Sequence, residues 1–194
     1  MNRTIKTPLN DEMIKELKAG DRVLISGIIY TARDAAHKRM LETLDRGEKL
    51  PVDLTGQIIY YAGPCPPKPG HVTGPFGPTT SGRMDKYTPE LIVQGMKGMI
   101  GKGNRDEAVI KAMQQEGAVY FAAVGGAGAY IASTIKELKV VAYEDLGAEA
   151  LMELVVEDFP VIVAIDCYGN NLYETEPPKY KDSFKYTNGI KFLV

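Results

Sequence analysis

Residues 22–31, RVLISGIIYT, predict the strand around which the rest of the chain is organised. The stretch is rich in β-branched and aromatic residues, which favour a β-strand. It leads directly into a segment whose apolar residues recur at helical spacing from Ala35 to Gly47. A strand that runs straight into a helix is typical of an α/β protein.

The remainder of the chain continues this alternation. Residues 57–62, QIIYYA, predict another strand, and Thr88 is the expected N-cap of a helix with Pro89 in its first turn. Further strands are predicted at residues 97–100, 118–124, 138–143 and 161–166, and helices at 106–115, 128–135 and 147–156. We therefore expect an α/β fold whose second half is a mainly parallel sheet.

The length of 194 residues suits one compact domain. Residues 1–20 are expected to form a helical extension ahead of the main fold, because Asn10 is a good N-cap and Gly20 a good terminator. Residues 175–194 are too polar to predict a helix or a strand and are interpreted as a C-terminal tail.

Composition argues against several classes of protein. A net charge of −2 and a pI near 5.8 make nucleic acid or an anionic membrane an unexpected partner. The chain has no apolar run of about 18 residues, and its first residues lack the apolar core of a signal peptide, so a cytoplasmic protein is expected. Cys65 and Cys167 lack CxxC spacing, which predicts neither a disulfide framework nor a zinc site, and no metal ligand is assigned.

A long loop precedes a cluster of hydroxyl groups. Residues 63–80 contain six of the 12 prolines and lead into residues 77–85, GPTTSGRMD, which carry Thr79, Thr80, Ser81 and Arg83. A flexible linker would be expected to contain more Ser, Lys or Glu and few aromatic residues, so an ordered loop at a site is the favoured interpretation.

Three cations stand where the chain is expected to enter a helix. Arg33 follows Thr31 in a pattern that resembles a capping box, Arg83 lies in a short turn after the hydroxyls, and Lys102 lies between two glycines ahead of Asn104, a predicted N-cap. Helix N-termini attract anions, and Arg and Lys add charge-assisted donors. Together these positions predict a site for a small dianion.

Plainer interpretations exist for each residue. Arg33 could pair with Asp34 or Glu42, Arg83 could pair with Asp85, and Lys102 could be solvated. The hydroxyls could simply cap the next turn. His37, one helical turn after Arg33, could be a hydrogen bonder or general acid, but a surface histidine without function is favoured. The glycines at 125–128 resemble a dinucleotide loop, but the spacing fails at Ile131.

Several segments, in order along the chain, resemble one family. They are ARDAAHKR (32–39), YYAGPCP (60–66), GPTTSGRMD (77–85), GKGNR (101–105), VGGAGA (124–129) and EDFP (157–160). They resemble the β subunit, or C-terminal region, of the class I iron-sulfur fumarases and the related tartrate dehydratases.

The resemblance implies a swivelling β/β/α domain, with a mixed, partly parallel sheet and flanking helices, that closes over a [4Fe-4S] cluster. The cluster would be carried by a separate α subunit, since the family uses three cysteines and this chain has only two. The expected assembly is therefore a hetero-oligomer.

The resemblance also implies a reaction, the reversible hydration of fumarate to L-malate at an open iron. Arg33, Arg83 and Lys102 match its carboxylate-binding positions, and Thr79 matches the threonine that helps to move the C3 proton. The motif tails favour fumarase over tartrate dehydratase. A third hypothesis, from another class, is a dicarboxylate-binding module without activity, which would bind its ligand without an α subunit.

Overall fold

A computed structural model describes residues 3–180. Within this range the strands are β1 (Arg3–Lys6), β2 (Arg22–Thr31), β3 (Ile58–Tyr60), β4 (Gly98–Gly101), β5 (Val119–Ala122), β6 (Ile135–Ala142) and β7 (Leu151–Ile165). The helices are α1 (Asp11–Glu16), α2 (Asp34–Asp45), α3 (Thr88–Val93), α4 (Glu107–Glu116), α5 (Gly128–Thr134) and α6 (Leu172–Tyr180), and 3₁₀ turns lie at Ser81–Met84 and Glu144–Glu149.

The strands form one mixed sheet that closes on itself. Strands β2, β3, β4 and β5 are parallel neighbours, and β5 pairs with β7 in the antiparallel direction. Strand β7 also pairs with β2 along nearly the whole of that strand, from Arg22↔Ile162 to Thr31↔Met152. The ring β2-β3-β4-β5-β7 is therefore a closed barrel, with β1 beside β2 and β6 beside β7. The predicted α/β class with a mixed, partly parallel sheet is confirmed.

Alternate side chains of the strands pack into two separate cores. On β3 and just beyond it, Ile58 and Tyr60 belong to one buried cluster, and Ile59 and Tyr61 belong to the other. The first cluster also contains Phe76 from the long loop. The second lies against the helices α2, α3 and α4. Because both faces of the parallel strands are covered, these strands are continuous apolar runs.

The prediction for residues 147–156 was wrong. A helix was expected there because Ala, Leu, Met and Glu favour helices, but the segment is a 3₁₀ turn followed by the start of β7. From Met152 to Val156 burial alternates with a period of two, and β7 pairs with β2 on one edge and β6 on the other. Tertiary pairing has overridden helix propensity, and it makes the second half less parallel than expected.

The N-terminal segment differs from the expected helical extension. Asn10 does cap a helix, since its side chain accepts a hydrogen bond from the Met13 N–H at 2.8 Å. However, residues 3–6 form strand β1, and Ile14 and Leu17 are buried in the core. The segment is thus part of the main fold.

The two ends of the chain are only partly described. Residues 175–180 of the predicted tail belong to α6, and residues 181–194 lie outside the described part. Among residues 3–180, no helix is long and apolar enough to cross a membrane.

Candidate anion-binding site

The predicted site residues follow the carboxyl ends of adjacent parallel strands. Arg33 comes two residues after β2, and Lys102 directly follows β4. The loop that carries Thr79, Thr80 and Ser81, called the hydroxyl loop below, lies beside the end of β3. In α/β sheets the carboxyl edge of the strands is the usual place for a ligand. The topology therefore brings these residues to one edge of the barrel.

Backbone hydrogen bonds fix the hydroxyl loop to the Lys102 loop. The Ser81 N–H donates to the Lys102 carbonyl at 2.8 Å, and the Lys102 N–H donates to the Thr79 carbonyl at 3.2 Å. The Thr79 N–H in turn donates to the carbonyl of Tyr61, just after β3, at 2.7 Å. Thr79 is half-buried and Lys102 is exposed, and the backbone hydrogen bonds hold the two residues on adjacent loops.

One of the three hydroxyls is already engaged. The Ser81 hydroxyl is buried and lies 2.8 Å from the Tyr120 hydroxyl, which donates to the Gly103 carbonyl at 2.8 Å. Since a tyrosine has one hydroxyl proton, Ser81 must be the donor to Tyr120. Gly101 leaves the room for this arrangement, because a Cβ at that position would overlap the Ser81 Oγ. Thr79 and Thr80 remain as candidates to meet a ligand.

Asp34 binds Arg83 close to Arg33. Arg83 donates from Nε to Asp34 Oδ1 at 2.9 Å, and its NH2 group lies 2.9 Å from Oδ2. Because Asp34 is the first residue of α2, this contact brings Arg83 to the helix end that carries Arg33. The alternative partner considered for Arg83, Asp85, is occupied elsewhere.

The predicted capping box at the start of α2 was wrong. The Thr31 hydroxyl donates to the Ala62 carbonyl at 2.6 Å and takes no part in the helix end. Arg33 is itself the N-cap residue, and its side chain makes no capping hydrogen bond. Arg33 also pairs with neither Asp34 nor Glu42, because its ion-pair partner is Glu149 at 3.3 Å.

A buried ion pair joins the turn that carries Arg83 to the loop that carries Lys102. The motifs did not predict this pair. Arg105 is only 4% exposed and donates from Nε to Asp85 Oδ1 at 2.6 Å and from NH2 to the Thr88 hydroxyl at 2.9 Å. The other oxygen of Asp85 accepts the Asp106 N–H at 2.8 Å. The sequence signal was present, since Asp85 ends GPTTSGRMD and Arg105 ends GKGNR, but the sequence analysis paired Asp85 only with Arg83 and assigned Arg105 no partner.

The helix ends near these loops are shifted from the predicted positions. Asn104 was expected to cap α4, but Asp106 does so, accepting the Val109 N–H at 2.9 Å. Similarly, Thr88 is the first residue of α3, and its N-cap is Tyr87.

His37 is buried and is not the surface histidine that was expected. Its Nδ1 lies 2.9 Å from the Arg33 carbonyl, so Nδ1 carries the proton, and its Nε2 has no hydrogen-bond partner among the described residues. Its ring packs edge-on against Tyr61. Burial lowers the pKa of His37 to about 4, although the Arg33 carbonyl opposes the shift. His37 is therefore neutral at physiological pH and holds the backbone of Arg33.

The residues between 3 and 180 contain no group of three or more His, Cys, Asp or Glu side chains that could hold a metal ion. Cys65 is an exposed free thiol on the long loop and Cys167 is a buried one after β7. A cluster that needs three cysteines does not fit the described residues.

Comparison with known proteins identifies the family. The sequence profile described as "Fumarase C-terminus" matches residues 2–176. The chain belongs to this family. The resemblance to the fumarase and tartrate dehydratase proteins is thereby confirmed.

This chain is similar to relatives of two kinds, fumarate hydratases and a tartrate dehydratase subunit. The aerobic class I fumarate hydratase of Escherichia coli K12 is 38% identical over 176 residues, and fumarate hydratase 2 of Leishmania major is 37% identical over 173 residues. These matches cover 90% and 87% of this chain but only 32% and 30% of the relatives. The chain thus spans about a third of their length.

A protein of Methanocaldococcus jannaschii, provisionally named the β subunit of an L(+)-tartrate dehydratase, is 42% identical over 188 residues. This match covers 94% of the chain and 96% of the relative. The region therefore also occurs as a chain of this size.

The buried His37 predicts a loss of stability in acid. In the unfolded chain the imidazole takes up a proton near its ordinary pKa of 6.5, whereas the folded state resists protonation down to about 4. As the pH falls from about 7.5 to about 4.5, His37 should remove about 2 kcal/mol from the free energy of unfolding. Chemical denaturation at both pH values should show this loss, and His37→Gln should reduce it.

His71, the other histidine, is exposed and provides the control. His71→Gln should leave the pH dependence unchanged. If His37→Gln also retained the full acid loss, the buried imidazole would not be its source.

Proposed function

We propose that this chain is the β subunit of an iron-sulfur hydro-lyase that reversibly hydrates fumarate to L-malate. In this proposal the [4Fe-4S] cluster belongs to a separate α subunit, and this chain supplies carboxylate-binding cations and a hydroxyl that moves a proton. The observation that supports it is that the segments carrying Arg33, Thr79, Arg83 and Lys102 all lie at the carboxyl ends of β2, β3 and β4.

The cations account for substrate binding. The Lys102 ammonium group is an exposed point charge, and the exposed Arg83 guanidinium, held by Asp34, offers planar N–H donors. Arg33 adds a second guanidinium at the N-terminus of α2, where the helix dipole favours an anion. A dicarboxylate has two anionic groups, and in this proposal the cations bind both of them through charge-assisted hydrogen bonds.

Thr79 accounts for proton movement. In the hydration direction its hydroxyl would give a proton to C3 while the hydroxyl of water adds to C2, and the remaining water proton would restore Thr79. A threonine alkoxide is a strong base that needs stabilisation. In this proposal the stabilising cation is Lys102, whose backbone N–H donates to the Thr79 carbonyl.

A second candidate is the β subunit of a tartrate dehydratase. Its support is the M. jannaschii relative, which bears that name and matches over 96% of its length. The same cations would bind tartrate, also a dicarboxylate. A binding module without activity is the third candidate.

The proposal is tested by anaerobic loss of fumarate absorbance. The chain alone is compared with the chain mixed with a cluster-bearing α subunit from the same organism, and the proposal expects activity only in the mixture. Turnover of tartrate but not fumarate would favour the second candidate. Inactivity on both, with dicarboxylate binding that does not depend on the α subunit, would favour the binding module.

Removing either exposed cation should weaken substrate use. Arg83→Ala and Lys102→Ala should each lower kcat/KM of the assembled enzyme roughly tenfold or more, because each removes a charge-assisted hydrogen bond. Lys139→Ala is a matched control, since Lys139 is exposed on the edge strand β6, away from the loops that carry Arg83 and Lys102 in the sequence. Equal kinetics in all three variants would contradict the proposed binding role.

Thr79→Val should lower kcat by about a hundredfold or more while changing the affinity for dicarboxylate little, because it removes the proton carrier alone. Steady-state kinetics and inhibition by a non-reacting dicarboxylate separate these effects. Thr80→Val, one residue along the same loop, is the control and should retain turnover. Loss in Thr80→Val with normal turnover in Thr79→Val would assign the proton transfer to the other hydroxyl.

A further inference from the structure

Glu149 places a carboxylate at the start of α2. It is the last residue of the 3₁₀ turn Glu144–Glu149, far from α2 in the sequence. One oxygen, Oε1, lies 3.3 Å from the NH2 group of Arg33, and the other, Oε2, accepts the Ala35 N–H at 3.1 Å. No motif that suggested the site contains Glu149.

The local backbone is shaped for this contact. Gly147 adopts φ +56° and ψ −119°, a conformation that glycine accepts readily, and it turns the chain back toward α2. Gly63 lies against the same place, because a Cβ there would be 2.6 Å from the Ala148 carbonyl oxygen and 3.3 Å from Arg33 Cδ. The side chain of Arg33 therefore lies close to Gly63, and a larger residue at position 63 would disturb it.

The contact gives a backbone N–H at the start of α2 a hydrogen-bond acceptor, and it restrains the flexible side chain of Arg33. Arg33 is the N-cap residue without a capping side chain, so Glu149 takes over that role by accepting the Ala35 N–H. The side chains of Arg33 and Glu149 are 25% and 27% exposed, so their pairing is partly shielded from water. The contact engages the NH2 group, and Arg33 Nε is buried without a hydrogen-bond partner among the described residues.

We propose that Glu149 is a positioning residue that orients Arg33 for the substrate carboxylate; this inference rests on the proposed function. Asp34 offers an analogous restraint for Arg83, so each guanidinium at the site is held by its own carboxylate. Restraining a long cationic side chain before the ligand arrives lowers the entropy cost of binding.

The same contact has an opposite interpretation that makes an opposite prediction. Glu149 could imitate a substrate carboxylate and compete for Arg33, in which case removing its charge would tighten substrate binding. A positioning role predicts weaker binding. The sign of the change in KM therefore distinguishes the two.

The test is Glu149→Gln in the assembled enzyme. Glutamine keeps the shape and an oxygen for the Ala35 N–H but loses the charge that orients Arg33. We expect KM for the dicarboxylate to rise roughly tenfold with kcat changed less than about twofold, the pattern of lost binding. The double variant Arg33→Ala/Glu149→Gln should be no worse than Arg33→Ala alone, because the two residues act through one contact.

Asp145→Asn is the matched control. Asp145 ties the same 3₁₀ turn to the same helix through two oxygen contacts with Arg39, at 2.6 and 2.8 Å, without touching Arg33. If loosening the turn were enough to raise KM, Asp145→Asn would raise it as well, and the positioning role would be overturned. An unchanged or lower KM in Glu149→Gln would also overturn it.

A second readout separates this inference from the proposed function. If the unsubstituted complex turned over neither fumarate nor tartrate, the function would fail, and the positioning role would still be tested by ¹⁵N NMR of the Arg33 Nε–H in the full chain. Glu149→Gln should speed its exchange with water several-fold, and Asp145→Asn should not. Equal exchange rates in the unsubstituted chain and Glu149→Gln would overturn the inference.

Discussion

The antiparallel pairing of β2 with β7 closes the sheet into a barrel. Without it, β2 to β5 would form an open parallel sheet with exposed edges. Strand β7 is long enough to pair with β2 on one edge and with both β6 and β5 on the other. The closed ring fixes where β2, β3 and β4 end, and hence where the loops that carry the candidate site begin.

A buried ion pair then holds those loops together. Arg105 and Asp85 are 0% and 10% exposed at their side chains, and breaking such a pair by removing one partner costs about 3–5 kcal/mol because a buried charge is left unpaired. The pair joins the turn that carries Arg83 to the loop that carries Lys102. The Arg83 and Lys102 side chains are exposed, whereas the ion pair that joins their segments is buried.

The parts of the fold that sequence could predict were those with strong local patterns. The span of β2 was predicted exactly, and α2, α4 and α5 within a residue or two, because β-branched content and helical spacing agreed with their surroundings. Residues 147–156 were predicted wrongly since their helix propensity conflicts with pairing to distant strands. Strand β1 and the closure of the barrel also depend on partners far away in the sequence.

In the candidate site, too, local patterns predicted some residues, and others depend on contacts that only the fold reveals. Arg33, Thr79, Arg83 and Lys102 were selected from junction positions and family motifs, and the fold brings their segments together; their roles remain predictions. His37, Arg105 and Glu149 were missed or misjudged because burial and long-range contacts define them. A charged residue inside a motif gives no sign of whether it faces a ligand or the core.

A crystal structure of the complex between this chain and its α subunit would test the proposed site, with succinate bound as a dicarboxylate that lacks the reactive double bond. The proposed site predicts a succinate carboxylate within hydrogen-bond distance, about 3 Å, of Arg83 or Lys102, with the Thr79 hydroxyl facing a methylene carbon. Succinate bound without contact to any of these three side chains would contradict the site.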